Sequence, residues 1–426
     1  MSYSLLLTTA LALALAALSP TGEALAADYV LVAESDSGCT LYIDGVDLVS
    51  EGCNVHIRNG DGATDSTNGV GNLVVGYDED NGDDKSGSHN LVVGSNHSYG
   101  SYGSYVGGYD NATSGPWSAV LAGYGNEASA TYTAVVGGYG NTASLWGAVA
   151  VGGAANEASG YYGVAVGGYA NTASGFYSAV LGGYANVASN SNSAVMGGYD
   201  NAASGAYSTV SGGESNDATG YATSVSGGRY NEAAASWSSV SGGIYNLASG
   251  LDSSVSGGGY NDASGNYASV SGGSNNDASG DYASVSGGAR ASASGDWAAV
   301  IGGYDNVASG EFASVSGGHS NEATGEYASV SGGSDNDATG EYASVSGGYS
   351  NEASGYGASV SGGAKNEASG SDASVSGGYD NVASGRMSSV SGGSYNEASG
   401  NSASVLGGGD SGGNGNVASS DYETAY

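Results

Sequence analysis

The residues best suited to metal chemistry lie in one short acidic segment between residues 78 and 84. Oxygen ligands crowd around a glycine there, and the candidate calcium ligands are Asp78, Asp80, Asn81, Asp83 and Asp84. Calcium prefers carboxylate and carbonyl oxygens, although this spacing differs from that of the EF-hand loop. The segment predicts either a calcium site or a solvated acidic insertion, and no other cofactor is expected.

Two cysteines, Cys39 and Cys53, lie close together near the N-terminus. An even pair in an exported chain is most simply a disulfide, because oxidising compartments preserve such bonds. Closing a loop of roughly fifteen residues would stabilise the fold by about 3 kcal/mol. Two free thiols are the alternative interpretation. A metal site is disfavoured because two cysteines without a nearby histidine supply too few soft ligands.

No convincing catalytic set is present. The four histidines follow no metal-ligand spacing, and they are His56, His89, His97 and His319. Serine is abundant because it belongs to a repeat, so a Ser-His-Asp coincidence carries little weight. Polysaccharide lyases built on parallel β-helices use basic catalytic residues, whereas this chain has only 6 Lys and Arg. We therefore predict that the protein is not an enzyme.

The composition restricts the partners. The 426 residues include 81 Gly and 33 Tyr but 2 Phe, a bias typical of repeat proteins, and the formal net charge is -35. Nucleic acid and anionic membrane surfaces are disfavoured because both require basic contacts. Cations, neutral glycans and other proteins remain as candidate partners.

The N-terminus resembles a signal peptide. Leu5 to Leu18 is a run of Leu, Ala and Thr, and Ala24-Leu25-Ala26 fits a small-x-small cleavage pattern. No basic residue precedes the run, so a membrane-anchored or buried helix is the alternative. We expect residues 1–26 to be removed and the protein to be extracellular or on a bacterial cell surface. No later stretch suits a transmembrane anchor.

A fifteen-residue repeat begins near Tyr102, and the second glycine of its Gly-Gly pair recurs from Gly108 to Gly408. Fifteen residues are too few for a helix-turn-helix unit but suffice for two short strands and two turns. Val270 lies between Ser269 and Ser271, the alternation of a half-buried strand. The sequence predicts an all-β parallel β-solenoid of about 21 coils.

The same pattern predicts the domain organisation. Residues 27–70 would form an N-terminal cap segment with the disulfide, and residues 71–101 degenerate first coils with the acidic insertion. Residues 102–408 would form the repeats, and residues 409–426 an irregular coil and tail. Valine and alanine recur at fixed phases, so they should fill a thin interior.

Two polar or aromatic columns accompany this interior. The first would be a buried structural ladder, with an exposed turn as the alternative, at Asn126, Asn141, Asn156, Asn171, Asn261 and Asn276. The second would either stack or form a binding stripe for glycans or partners, at Tyr102, Trp117, Tyr132, Tyr162, Tyr177, Trp237, Tyr267, Tyr282 and Trp297.

Of two further columns, one changes from apolar residues to serine along the chain and the other is acidic. The residue after the core position is apolar at Leu121, Val136, Val151, Val166, Leu181 and Met196, and it is mostly serine from Ser211 onward. An outward apolar column predicts an oligomer interface. Beside the asparagines, acidic residues recur, including Asp217, Asp262, Asp277 and Asp337. Stacked like charges repel, so divalent cations should raise the melting temperature.

The segments Ser269-Val270-Ser271-Gly272-Gly273 and Asn276-Asp277-Ala278-Ser279-Gly280 resemble, in order and spacing, the YadA-like head (Hep/Hag) repeats of trimeric autotransporter adhesins. The resemblance covers about residues 71–419. It implies a left-handed parallel β-roll, three chains side by side and a bacterial surface location. The family repeat is commonly fourteen residues long, so one turn should be longer here.

Three functions follow as hypotheses. The first is a rigid adhesin-like rod, acting as a homotrimer, that binds host or matrix glycans or proteins. The second is an ice-binding or ordered-water-binding β-solenoid, because serine columns form a flat hydroxyl array. The third is a structural filament subunit without a ligand.

Overall fold

The computed structural model describes residues 29–34, 38–410 and 412–426, and the predicted signal peptide lies outside these residues. The chain divides into two compact units, Met1–Ile57 and Arg58–Tyr426. Throughout the described residues the regular structure is β-strand, without a helix. The all-β prediction is therefore confirmed for this part of the chain.

The first unit contains a three-stranded antiparallel sheet, in the order β1 (Tyr29–Glu34), β2 (Thr40–Asp44) and β3 (Asp47–Glu51). A two-residue turn at Gly45 and Val46 joins β2 to β3, and Gly45 has a φ of 60°. Cys39 and Cys53, which flank this hairpin, form a disulfide with a Cα–Cα distance of 4.9 Å. This unit ends at Ile57, whereas the predicted cap segment extends to residue 70.

The second unit is a parallel β-solenoid of about 22 turns with fifteen-residue spacing, which confirms the predicted fold class. Each strand pairs with its equivalent in the next coil, as Val255, Val270 and Val285 show. At about 4.8 Å for each strand, the stack of coils spans roughly 100 Å.

The first of two sheets, which we call the valine sheet, has a buried Val or Ala as the second residue of nearly every strand. Its strands are Leu73–Val75, Leu91–Ser95, Tyr105–Tyr109, Ala119–Val120, Ala134–Val136, Val149–Val151, Val164–Val166, Ala179–Val180, Ala194–Val195, Thr209–Val210, Ser224–Val225, Ser239–Val240, Ser254–Val255, Ser269–Val270, Ser284–Val285, Ala299–Val300, Ser314–Val315, Ser329–Val330, Ser344–Val345, Ser359–Val360, Ser374–Val375, Ser389–Val390, Ser404–Val405 and Thr424–Ala425.

The second sheet, the alanine sheet, consists of two-residue strands that mostly end in a buried alanine. Its strands are Ser98–Tyr99, Ala112–Thr113, Glu127–Ala128, Thr142–Ala143, Glu157–Ala158, Thr172–Ala173, Val187–Ala188, Ala202–Ala203, Asp217–Ala218, Glu232–Ala233, Leu247–Ala248, Asp262–Ala263, Asp277–Ala278, Ser292–Ala293, Val307–Ala308, Glu322–Ala323, Asp337–Ala338, Glu352–Ala353, Glu367–Ala368, Val382–Ala383, Glu397–Ala398 and Val417–Ala418.

A third parallel ladder, which we call the bridge column, contributes one residue to each coil from Tyr109 to Ser394. The sequence predicted two strands in each coil and missed this ladder. Its residue lies between two positions of positive φ, as Ser274 lies between Gly273 (φ 91°) and Asn275 (φ 55°). A single extended residue between two left-handed ones leaves no alternating pattern to detect.

The coil length varies near both ends of the solenoid. Equivalent positions are 18 residues apart at Asn72 and Asn90, and 14 apart at Asn90 and Ser104. The spacing is again 14 between Ser104 and Ser118, becomes 15 from Asn111 onward and widens to 20 between Asn396 and Asn416. The additional residues form loops, and the strand register continues across them. The strands Leu73–Val75 and Leu91–Ser95 accordingly belong to the same stack.

The interior is narrow. In one coil, Ala278, Ala283 and Val285 are 0 to 1% exposed. Burying a valine contributes about 1.5 to 3 kcal/mol, whereas ordering each backbone residue costs at least about 1 kcal/mol. Apolar burial alone therefore does not hold a fifteen-residue coil together. Hydrogen bonds between coils and contacts between stacked side chains must supply the remainder.

The unbroken glycine column has a steric cause. A Cβ at Gly273, where φ is 91°, would collide with the carbonyl oxygen of Gly288 and the side-chain amide of Asn276. Gly280 faces a second close approach, since a Cβ there would meet the carbonyl of Gly295. These glycines let successive coils approach closely enough to bond.

Candidate functional site

The asparagine column forms a buried ladder of hydrogen bonds. The side-chain oxygen of Asn141 accepts a bond from the backbone N–H of Asn156 in the next coil, at 2.9 Å. Its amide donates to the carbonyls of Gly137 and Gly153, at 3.1 and 3.2 Å. The predicted ladder residues are 0 to 1% exposed, namely Asn126, Asn141, Asn156, Asn171, Asn261 and Asn276. These side chains bond to the protein and are closed to a ligand.

His97 occupies the ladder position one coil before Asn111 and is 1% exposed. Its Nδ1 lies 3.2 Å from the backbone N–H of Asn111, which can only donate, so Nδ1 accepts. Its Nε2 then donates to the carbonyl of Val93 at 3.1 Å. Sequence reasoning treated His97 as an isolated histidine. Its role is that of an asparagine substitute, which the fourteen-residue spacing to Asn111 could have revealed.

The acidic segment is organised largely by its own bonds. Asp80 Oδ1 accepts the N–H groups of Gly82 and Asp83 at 2.9 and 3.2 Å, and these bonds hold the pKa of Asp80 below its ordinary value. Asp83 accepts from the N–H of Asn81 at 3.3 Å. The side-chain and backbone bonds of Ser86 lower the pKa of Asp84.

A lysine ammonium lies beside the same segment. Lys85 Nζ pairs with Asp78 Oδ1 at 3.1 Å and donates to the carbonyls of Asp78 and Glu79 at 2.6 and 2.8 Å. Buried Tyr99 donates its hydroxyl to Asp78 Oδ2 at 2.8 Å, and desolvation and this bond raise the pKa of Tyr99. Within the described residues, no group of three or more His, Cys, Asp or Glu is arranged to hold a metal ion. Calcium binding stays a prediction.

From Trp117 onward, the predicted aromatic column forms ring-to-ring contacts along a corner of the coil, where the backbone is left-handed. Tyr102 was wrongly assigned to this position, because the spacing to the next coil is fourteen residues there and Gly103 (φ 68°) occupies the corner. Its φ values include 61° at Tyr132, 61° at Tyr282 and 60° at Trp297. Tyr162 and Tyr177 stack with centroids 4.8 Å apart. Non-glycine residues seldom adopt this conformation, so no pattern in the sequence indicated that these bulky residues occupy such a corner.

The other members of the predicted stripe also contact rings. Tyr102 meets Trp117 edge to face at 5.2 Å, and Trp117 stacks on Tyr132 at 5.4 Å. Trp237 contacts Tyr221, which lies one residue outside the column phase, at 5.9 Å. The C-terminal part is a continuous stack of six rings from Tyr267 to Tyr342, containing Tyr267, Tyr282, Trp297, Phe312, Tyr327 and Tyr342.

The stacking determines which ring surfaces a partner can reach. Neighbouring planes in the six-ring stack are within 13° of parallel, so most ring faces cover one another. Sugars and cations bind aromatic rings through their faces. The rings are still 39 to 51% exposed, which leaves edges and hydroxyl groups for a partner. Stacking is therefore observed, and binding stays a prediction that concerns ring edges and hydroxyl groups.

Two more aromatic columns were missed by sequence reasoning. The bridge column carries exposed tyrosines, including Tyr169, Tyr184 and Tyr199, with successive centroids 5.4 and 5.0 Å apart. The position that follows the bridge column in each coil contains Tyr230, Tyr245 and Tyr260, whose successive ring centroids are 4.7 and 5.0 Å apart. Alignment of the tyrosines at a period of fifteen could have found both sets. The coil therefore presents rings along three lines.

The outer face of the valine sheet has two parts. Between Ala119 and Met196 it is apolar, and Leu121, Val136, Leu181 and Met196 are 41 to 57% exposed. From Ser224 onward most strands present a serine on each side of the buried valine, as Ser269 and Ser271 do, with Ala299 and Ile301 an exception. We call these parts the apolar face and the serine face.

The acidic column on the outer side of the alanine sheet is strained electrostatically. Desolvation first, and then the charge of Asp277, raises the pKa of Asp262 above its ordinary value of 3.8. Desolvation likewise raises the pKa of Asp217, Asp277 and Asp337. One side-chain oxygen of Asp262 is buried without a hydrogen-bond partner. Ionisation of these carboxylates therefore lowers the free energy of unfolding.

In the described ranges, the structure contains no helix with the length and hydrophobicity that crossing a bilayer requires. A scan of the sequence against known family models found no match, and a search of curated proteins found no similar sequence.

Proposed function

We propose that this chain is an exported, non-enzymatic adhesin-like rod that binds extracellular matrix or cell-surface glycans or proteins through its repeated outer columns. The supporting observation is the contrast between a closed interior and a repetitive exterior. Val, Ala and Asn fill the inside at 0 to 1% exposure, so the side chains free to meet a partner lie outside. Location at a bacterial surface and a left-handed coil follow from the resemblance of the repeats to adhesin heads.

A rod of stacked coils suits weak contacts that repeat. Each coil offers the same chemistry about 4.8 Å further along, so an extended partner can engage many coils at once. Multiple weak contacts then add to high avidity without a deep pocket. The tyrosines of the bridge column are 39 to 58% exposed where they occur, and they provide amphipathic contacts of the kind common at interfaces.

The experiment compares binding of the whole chain and of a triple variant to arrays of matrix glycans and matrix proteins. Tyr169, Tyr184 and Tyr199 would be replaced by serine, which the chain itself places in this column at Ser274 and Ser334. Binding should fall at least tenfold while the melting temperature stays close to wild type. Binding to no array component, or undiminished binding by the variant, would refute the tyrosine-mediated proposal.

The proposed homotrimer rests on the apolar face. Apolar side chains continue over six coils, roughly 30 Å at strand spacing, and four of the six are 41 to 57% exposed. A contiguous patch of this kind is unusual on a monomer. Light scattering at micromolar concentration should give three times the chain mass. Leu181→Ser with Met196→Ser should dissociate it, whereas Ile301→Ser, outside the patch, should not. A monomeric wild type would reject the trimer.

Binding of ordered water or ice is the second candidate, favoured by the serine face. Hydroxyl groups there repeat about 6.6 Å across each strand and about 4.8 Å between coils, a flat two-dimensional array. Thermal hysteresis and faceted ice crystals should then appear with the purified protein, and Ser271→Tyr with Ser286→Tyr should abolish both. A freezing point equal to the melting point would exclude this function.

A further inference from the structure

Tyrosines of adjacent coils face one another in parallel pairs. Their ring centroids are 4.7 to 5.0 Å apart and their planes are within 17° of parallel at Tyr162–Tyr177, Tyr184–Tyr199, Tyr230–Tyr245, Tyr245–Tyr260, Tyr267–Tyr282 and Tyr327–Tyr342. Each tyrosine is 36 to 58% exposed. The pairs thus combine close contact between phenols with access for a reagent from solvent.

The backbone fixes these pairs in register. Tyr327 and Tyr342 both have left-handed backbone, with φ values of 57° and 58°, and belong to coils joined by parallel strand pairing. The backbone N–H of Tyr342 also donates to the carbonyl of Glu326, the residue before Tyr327, at 2.8 Å. The two side chains therefore start from anchored positions and cannot drift apart without local unfolding.

We propose that the stacked pairs are sites of oxidative dityrosine cross-linking, by which a haem peroxidase with hydrogen peroxide joins neighbouring coils covalently. Each phenol loses one electron and one proton and becomes a phenoxyl radical. The two radicals form one carbon–carbon bond between ring positions ortho to oxygen, and the two ring hydrogens then move to the oxygens and restore both phenols. Hydrogen peroxide takes up the two electrons and two protons and becomes two molecules of water.

Proximity makes coupling within one chain faster than coupling between chains. Two groups held in contact react as if each were at an effective concentration far above any protein concentration in solution. The rings must turn from stacked to edge-to-edge before the bond forms, and their exposure leaves room on the solvent side. The product is a staple across one coil, which restricts separation of its two ends.

The six-ring stack contains its own negative controls. Tyr267–Tyr282 and Tyr327–Tyr342 have two phenols each, whereas the contacts of Trp297 with Phe312 and of Phe312 with Tyr327 do not. The chain has 33 Tyr against 2 Phe. Hydration of the hydroxyl also favours tyrosine at exposed positions, so the excess of tyrosine agrees with cross-linking but does not require it.

The test oxidises the whole chain at about 1 μM, where contact within the chain dominates, as an equal mixture of unlabelled and ¹⁵N-labelled protein. A glutamate-specific protease then cuts after Glu326, Glu341 and Glu352. Peptides 327–341 and 342–352 should appear joined, two hydrogens lighter than their sum, with both halves carrying the same label. The fragment spectrum should place the bond at Tyr342 rather than at Tyr349.

Tyr327→Phe is the matched variant, because Phe312 already occupies this column and stacks on Tyr327 at 4.8 Å. The variant should fold as wild type does and lose this joined peptide while other dityrosine persists. In strong denaturant, Tyr327 and Tyr342 of the wild type should no longer couple with each other in preference to other tyrosines. The proposal would be overturned if the native protein gave no joined peptide, gave only mixed labels, or gave the same yield when unfolded.

Discussion

The side-chain oxygen of Asn276 accepts a hydrogen bond of 2.9 Å from the backbone N–H of Ala291, and the asparagine ladder is interrupted there. Ala291 is 1% exposed and has no amide with which to continue. In the next coil Asn306 still donates to the carbonyls of Gly302 and Gly318, at 2.7 and 3.2 Å. The structure thus contains one buried defect in an otherwise repeated network, and the defect can be repaired.

Ala291→Asn should stabilise the solenoid. The new amide can donate to Gly287 and Gly303, and the new oxygen can accept from the N–H of Asn306, as in every neighbouring coil. Each bond contributes about 1 kcal/mol net, so we expect roughly 1 to 3 kcal/mol in denaturant unfolding. Ala289→Asn, on the outside, is the control and should change little. A repaired ladder without added stability would show that these bonds are energetically neutral.

Tyr327 should tolerate glycine better than alanine. At its φ of 57° an alanine keeps the left-handed strain and loses the stacking on Phe312 and Tyr342. Glycine loses the same stacking but relieves about 1 kcal/mol of strain, and Gly357 occupies this column naturally. Tyr327→Phe should be nearly neutral. Hydrogen exchange near residue 327 would measure the local differences, and an alanine variant more stable than the glycine variant would contradict the strain argument.

Acidification should first stabilise the protein and then destabilise it. The raised pKa values of Asp217, Asp262, Asp277 and Asp337 mean that the folded state binds protons more tightly than the unfolded state. The electrostatic cost of these carboxylates is therefore relieved as pH falls through their folded pKa values towards 3.8.

The loop carboxylates have the opposite sign. The pKa values of Asp80 and Asp84 are lowered, as is that of Asp410, which accepts hydrogen bonds from Asn414 and from the N–H of Gly412. The contribution of these carboxylates to stability is therefore present above pH 3.8 and is lost as pH falls below it. The melting temperature should accordingly be highest near about pH 4. Asp262→Asn with Asp277→Asn should flatten the rise from neutral pH. A melting temperature that falls steadily from about pH 7 downward would contradict this balance.

Calcium and magnesium should raise the melting temperature equally. Both screen the stacked carboxylates, whereas the acidic segment already has Lys85 beside Asp78 and internal bonds on Asp80. Asp80→Asn with Asp83→Asn should leave the effect of both ions unchanged. A saturable rise with calcium alone, absent in that variant, would instead establish a specific calcium site between residues 78 and 84.

Much of the fold was accessible from periodicity. The recurrence of Val270 and Ala278 every fifteen residues required positions one period apart to stack, because only that arrangement buries the same columns continuously. The bridge column could not be predicted from the sequence, because the position of Ser274 is occupied by serine, tyrosine and other residue types in the equivalent coils. It is held by backbone bonds between coils, and these leave the side-chain type free.

The candidate surfaces were likewise predicted only in part from the sequence. The aromatic column was visible as a pattern, yet whether its ring faces were open or covered depended on the distance between coils. The acidic segment suggested a cation site, yet the position of Lys85 relative to Asp78 became apparent only when the chain was folded. Trp146 illustrates a further case, since it lies one residue outside the column beside Gly147 and still contacts Tyr132 and Tyr162 at 5.4 and 4.9 Å.

The sequence by itself determined the period, the parallel stacking and the division between a small apolar interior and a polar exterior, because these follow from which side chains avoid water. Only the tertiary structure decided which residues take left-handed backbone, how Asn141 divides its three hydrogen bonds and which ring surfaces remain free. Those features depend on the neighbouring coil, whose carbonyls, amides and rings lie fifteen residues away and set the geometry at each position.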